Sequence, residues 1–177
     1  MPRIGSVLLL LAATSILHAD GPGDNIPDKV RKIPPPGIKL DPKDREELVE
    51  EWKKLQYAVA VLKEKRTPEE LRYLPDVLIY EKAVRYALEY DEFFNVKEIA
   101  IARAQLRTGL ERATALLKGE HPWTRQTGQV VRGYRSRIDG SIQPYGLSIP
   151  KTYDFQKPIR LDFWCHGRGE TLSEVNF

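Results

Sequence analysis

The sequence predicts an α+β protein, helical in its middle and β-rich towards residue 177, and three patterns carry that expectation. Between residues 41 and 119, apolar side chains recur at spacings of three and four, the period of helices with one buried face. From residue 129 the period shortens towards two, around an Asp139-Gly140 pair of the hairpin-turn type. The run Ile159-Arg160-Leu161-Asp162-Phe163-Trp164-Cys165 is bulky enough for the interior of a sheet. Composition agrees with a folded chain: 41% of the 177 residues are hydrophobic and 30% charged, which excludes wholesale disorder. The length fits one domain, or one small domain plus a piece of another.

Residues 1–19 have the form of a secretory signal peptide. Arg3 is followed by an apolar run from Val7 to Leu17 and by His18-Ala19, a small residue suited to cleavage. The run is too short to cross a bilayer core of roughly 30 Å as a helix. The other reading is a buried helix of a cytosolic protein. An exported chain, secreted or periplasmic, with no membrane association once the signal is removed, is the expectation. No cysteine lies near the cleavage point to take a lipid.

Residues 20–40 hold Pro22, Pro27, Pro34, Pro35, Pro36 and three glycines, a linker that acts as an extended tether or a wrapping arm. Residues 41–119 then read as a helical accessory domain. Asp41-Pro42 opens its first helix, with a capping carboxylate and a proline at the first helical position. Leu48, Trp52, Leu55, Val59 and Leu62 form that helix's apolar stripe. Thr67-Pro68-Glu69-Glu70 starts a second helix, Pro75 interrupts it, and Asp76 restarts one that buries Val77, Tyr80, Val84 and Ala87. Asn95-Val96-Lys97-Glu98 is a further capping box, followed by Ile99, Leu106, Leu110, Ala113 and Leu117 before Gly119.

Charge in this region is interspersed, 15 basic against 16 acidic side chains, as on solvated helix faces. The pairs Glu46-Glu47 and Glu50-Glu51 read as solvating carboxylates, because no histidine lies between residues 41 and 119 to join them in a metal or acid–base site. Tyr73, Tyr80, Tyr86 and Tyr90 read as packing residues. Over the whole chain the net charge is only +3, too small to argue for a nucleic-acid partner. The single cysteine, Cys165, excludes an intrachain disulfide and a cysteine-cluster metal site.

Residues 120–177 carry the chemistry. A strand over 129–136, the Asp139-Gly140 turn and a return strand from Ile142 to Ile149 make a hairpin. The segment 159–165 forms a buried strand that ends at His166-Gly167-Arg168-Gly169-Glu170. A glycine-flanked loop after such a strand leaves backbone N–H groups free to face developing negative charge, as an oxyanion hole requires.

Tyr145-Gly146-Leu147-Ser148-Ile149-Pro150-Lys151-Thr152-Tyr153-Asp154, a short gap, the apolar strand and His166-Gly167-x-Gly169 together resemble the front of an α/β-hydrolase. The nearest likeness is to secreted esterases and prolyl-oligopeptidase-like serine peptidases, and it covers about residues 129–170. It implies that residues 120–177 are the first strands of an α/β-hydrolase sheet. It further implies that the amide of Arg168 is one oxyanion donor, that His166 and Gly167 shape the turn, and that Gly169 allows close approach.

The family's nucleophile elbow, acid and histidine lie well after this loop, and the chain offers no match for them. Gly146-Leu147-Ser148-Ile149-Pro150 lacks the final glycine and sits within a strand, so Ser148 reads as structural. His18 leaves with the signal, and His121 precedes a proline in a connection. Neighbouring strand residues face opposite ways, so Cys165 reads as a buried strand thiol, not as a nucleophile paired with His166. Cys165, His121 and His166 have no zinc spacing, and no cofactor is implied.

The expected function is therefore the N-terminal part of an exported serine hydrolase acting on an ester or peptide substrate. In that reading the chain stops before the catalytic residues and is inactive alone. The alternative is a non-catalytic exported interaction protein, helical with a small β-extension.

Overall fold

The computed structural model describes residues 26, 34–65, 67–165, 167 and 169–177. The expected signal peptide and most of the linker lie outside the described residues. The architecture is α+β. Four helices, α1 (Pro42–Lys65), α2 (Pro68–Tyr73), α3 (Pro75–Glu89) and α4 (Lys97–Leu117), precede a single-turn 3-10 helix at Pro122–Arg125 and an antiparallel hairpin of β1 (Gly128–Arg135) and β2 (Ile142–Ile149). The described residues from Pro34 onward belong to one compact unit. No described helix is long and apolar enough to cross a membrane.

The helix boundaries follow from local chemistry. The Asp41 carboxylate accepts the Lys43 amide at 2.9 Å, which satisfies one donor left unpaired at the start of α1. At α4 the expected capping box forms in both directions. Glu98 accepts the Asn95 amide at 3.3 Å and the Phe94 amide at 2.7 Å, while the Asn95 side chain accepts the Lys97 amide at 2.9 Å. Pro75 stands at the first position of α3, where its missing N–H costs nothing.

Helix α3 is the centre of the molecule, touching α1, α4 and both strands. Leu48, Leu55, Val59 and Leu62 of α1 close over Val77, Tyr80, Val84 and Ala87 of α3, as the stripes predict, and all are buried. On α4 the buried set is Ile99, Ala102, Leu106, Ala113 and Leu116, not Leu110 and Leu117. The stripe drifts by one residue because Gly109 is the point of closest approach. A Cβ there would lie 2.8 Å from both Leu55 Cδ2 and the Tyr80 Cβ, so α4 turns its smallest residue inwards and Leu110 outwards.

Two further pieces of chain complete this core. Pro35 to Leu40 run extended along the α3–α4 connection, with the Ile38 amide donating to the Phe93 carbonyl at 2.6 Å and Ile38 and Leu40 half-buried. The end of the linker is thus a wrapping arm. Residues 172–177 fold back onto the helices. Val175 and Ser173 are buried, the Val175 carbonyl accepts Gln105 Nε2 at 3.1 Å, and Asn176 Nδ2 donates to Glu98 Oε1 at 2.7 Å. The Phe177 ring sits 5.6 Å from that of Tyr80.

The hairpin follows the expected pairing, from Gly128 opposite Ile149 to Arg135 opposite Ile142. The Ser136 amide donates to the Ser141 carbonyl, and Gly140 takes a φ of 73° in the turn. Hydrogen bonds from Ser141 and Ser136 hold the Asp139 carboxyl down to about 2.

One expected element is absent. Residues 159–165 are not a strand: Ile159 is 52% exposed, Leu161 65%, Phe163 88% and Trp164 89%, and Cys165 is also exposed. A central strand requires a ladder partner on each side and a layer on each face. The described residues supply only one hairpin, one face of which is taken by α3, so this segment stays in water.

Candidate functional site

The candidate site is assembled along one stretch of chain. After β2, Pro150 to Asp154 turn on a Tyr153 amide to Pro150 carbonyl bond of 2.9 Å, and the Tyr153 hydroxyl donates to the Lys157 carbonyl at 3.0 Å. Phe155 follows with a φ of 59°, a left-handed conformation that a bulky residue adopts only under strain. The exposed segment 159–165 leads to the glycine loop, and the Leu172 amide then donates to the Gly169 carbonyl at 3.3 Å. Directly after Leu172, Ser173 begins the tail that docks on α3 and α4.

Of the expected oxyanion loop, Gly167 and Gly169 are described. Both are exposed, and a Cβ added at either would meet no atom within 4 Å. His166 and Arg168, including the expected donor amide of Arg168, lie outside the described residues. The remaining candidates are spread apart. Ser148 is exposed towards the end of β2, and its hydroxyl accepts Gln129 Nε2 of the opposite strand at 3.3 Å, a cross-strand contact instead of a nucleophile elbow. His121 stacks on Tyr73 with ring centroids 4.3 Å apart, and its Nδ1 lies 3.2 Å from the Thr124 hydroxyl. Cys165 is an exposed free thiol, not the buried one expected from its place in the pattern. Among the described residues, no group of three or more His, Cys, Asp or Glu side chains converges as a metal site.

The strongest concentration of polar contacts is one that sequence reasoning misses. Asp76, which in the sequence only starts a helix, is 1% exposed and lies between α3, the 3-10 turn and β1. Its carboxylate accepts Trp123 Nε1 at 2.9 Å, Arg132 Nε at 2.9 and 3.0 Å, and the Gly133 amide at 2.7 Å. Arg112 donates to the Asp76 carbonyl at 3.2 Å and lies over the rings of Tyr80 and Trp123, each 5.0 Å away. Burial pulls the Arg112 pKa down, and burial pushes the Tyr80 hydroxyl up against the opposing charge of Arg112.

Gly133 allows this junction to form. A Cβ at that position would lie 2.2 Å from the Pro75 carbonyl oxygen, so β1 meets the start of α3 backbone to backbone. The one local signal is a carboxylate directly after a proline at a helix start, with an Arg-Gly pair inside a strand. Their partnership spans more than fifty residues and leaves no periodicity.

The Asp76 cluster is saturated: every buried side-chain nitrogen and oxygen among the described residues has a partner. It is a structural junction that fixes the hairpin, and with it the origin of the 150–171 stretch, against the helices. No family model, no curated protein and no solved structure matches this chain.

Proposed function

We propose that this chain is the front portion of an exported serine hydrolase that cleaves an ester or peptide bond by acyl transfer. The observation that carries the reading is the exposed segment 159–165. Its apolar residues, Ile159, Leu161 and Phe163, alternate with Arg160 and Asp162, and the sequence runs on into a glycine pair, Gly167 and Gly169, where an added Cβ would meet no atom within 4 Å. Large apolar side chains standing together in water mark a surface that another layer covers. A sheet strand with its neighbours removed has this composition and this exposure.

In the proposed enzyme, residues 159–165 are a central strand and His166-Gly167-Arg168-Gly169 is the oxyanion loop, with the Arg168 amide aimed at the carbonyl oxygen that gains charge during attack. A serine attacks the substrate carbonyl and a histidine carries its proton. No residue of this chain is assigned either role. The helices and the hairpin are the platform to which that sheet is fixed, through the Asp76 junction before the strand and the Val175 tail after the loop.

The alternative, a non-catalytic interaction protein, draws support from the tail itself, since Ser173 and Val175 are buried against the helical core. Sequencing the coding DNA past codon 177 separates the two. An in-frame Gly-x-Ser-x-Gly followed by an acid and a histidine is expected, and an immediate stop codon overturns the hydrolase reading. The purified chain, exposed to a serine-reactive phosphonate, is expected to remain unlabelled, whereas labelling at Ser148 would contradict its assignment as a cross-strand residue.

A further inference from the structure

A second feature adjoins the Asp76 junction through Arg132 and Gly133. Between the last turn of α2, the 3-10 turn and the hairpin there is an open basin of about 520 Å³. Its charge comes from Arg72, Arg125 and Arg132, and its flat faces from Tyr73, Tyr145 and Phe155. No carboxylate lines it among the described residues. Asp76 stands behind Arg132, its oxygens occupied by four hydrogen bonds.

Among the described residues, two of the three guanidinium groups have no counter-charge. Arg72 and Arg125, both exposed, make no ion pair or hydrogen bond among the described residues. Asp76 engages only Nε of Arg132, and the terminal nitrogens of that side chain carry no hydrogen bond among the described residues. Tyr73 is buried and serves as the floor, with Arg72 lying 5.3 Å and Arg132 5.7 Å from its ring centroid and the His121 ring stacked beside them. Guanidinium forks placed in this way match the two oxygens of a carboxylate or sulfate. Around them, Phe155 is kept at the basin wall in a strained left-handed conformation, with Tyr145 half-exposed, so flat apolar faces border the charge.

We propose that this basin binds a small ring-bearing oxyanion, a carboxylated or sulfated ring whose charged group sits on Arg72, Arg125 and Arg132 and whose flat face rests on Tyr145 and Phe155. The basin shares Arg132, Gly133, Tyr145 and Phe155 with the stretch that the hydrolase reading uses, but none of its lining residues belongs to the exposed segment and glycine loop of 159–171. Its position next to the hairpin makes it a place to hold an acidic group of a larger molecule, or a free acid.

The test titrates the purified chain with glucuronate, benzoate, inorganic sulfate and neutral glucose, following arginine Nε–H and backbone amide signals by NMR at low salt. Glucuronate or benzoate is expected to shift Arg72, Thr124 and Arg125, with binding tighter than that of sulfate and absent for glucose. Whichever of the two acids binds more tightly tells a saccharide from an aromatic ring. Arg72→Gln and Arg125→Gln, both exposed and outside the Asp76 junction, are each expected to weaken binding roughly tenfold. Arg137→Gln in the hairpin turn is expected to leave binding unchanged. Glucose binding as tightly as glucuronate, sulfate matching both acids, an unaltered affinity in the two arginine variants, or no shift with any ligand would each overturn the proposal.

Discussion

Leu55, Leu62, Val77 and Val84 in the helical region are at most 1% exposed, whereas Leu161, Phe163 and Trp164 stand 65–89% in water. Both sets are large and apolar, and both have the composition of an interior. What separates them is the supply of neighbours. Each helix buries its stripe against others formed within the same eighty residues, and its backbone bonds are made internally. Residues 159–165 need partner strands for their backbone as well as a layer for their side chains, and the described residues provide neither. Burial is thus decided by what surrounds a segment as much as by its own composition.

The widest contrast is available at the junction between the regions. Asp76→Ala leaves Arg132, Trp123 Nε1 and the Gly133 amide without their acceptor and is expected to cost roughly 3–5 kcal/mol, read as a lower midpoint in urea unfolding. If stability is unchanged, the hairpin is not held by this carboxylate. In the helical region, Leu55→Ala is expected to cost about 2–5 kcal/mol by the same measurement, from lost burial and the cavity left behind. Gly109→Ala, which places a methyl against Leu55 and Tyr80, is expected to cost about 1–3 kcal/mol.

Trp164→Ser and Phe163→Ser sharpen the comparison from the other side. Each is expected to change stability by no more than about 0.5 kcal/mol while raising solubility, because the native state gives up no buried surface. Cys165 in the native chain is expected to react with a thiol reagent as fast as in the urea-unfolded chain; slow labelling that speeds on unfolding would place the segment inside after all.

The smallest expected effect is in the hairpin turn. Asp139 is depressed from 3.8 to about 2 by bonds from Ser141 and Ser136 that favour its charged form. A depressed carboxyl contributes stability above its unfolded value, and that contribution fades as pH falls from 3.8 through about 2. The Ser141 amide is therefore expected to lose exchange protection over that window.

Much of the fold can be read in the sequence because it is local. The caps at Asp41 and Asn95, the stripes of α1 and α3 and the Asp139-Gly140 turn each rest on residues within a few positions of one another. The α4 stripe differs by one residue from its periodic reading because the deciding contact, Gly109 on Leu55 and Tyr80, is tertiary. The Asp76 junction, the arginine basin and the docked tail join residues dozens of positions apart, and no periodicity encodes such distances. Of the expected oxyanion loop, Gly167 and Gly169 are exposed to solvent.

The tail that carries Val175 also has a meaning in time. Its partners Gln105 and Glu98 on α4 are synthesised some seventy residues earlier, so a nascent chain with all four helices formed still presents an unfilled groove. Contacts of such long sequence separation slow folding and lengthen the life of open intermediates. Residues 173–177 can therefore meet their partners on α4 only after all four helices have been synthesised.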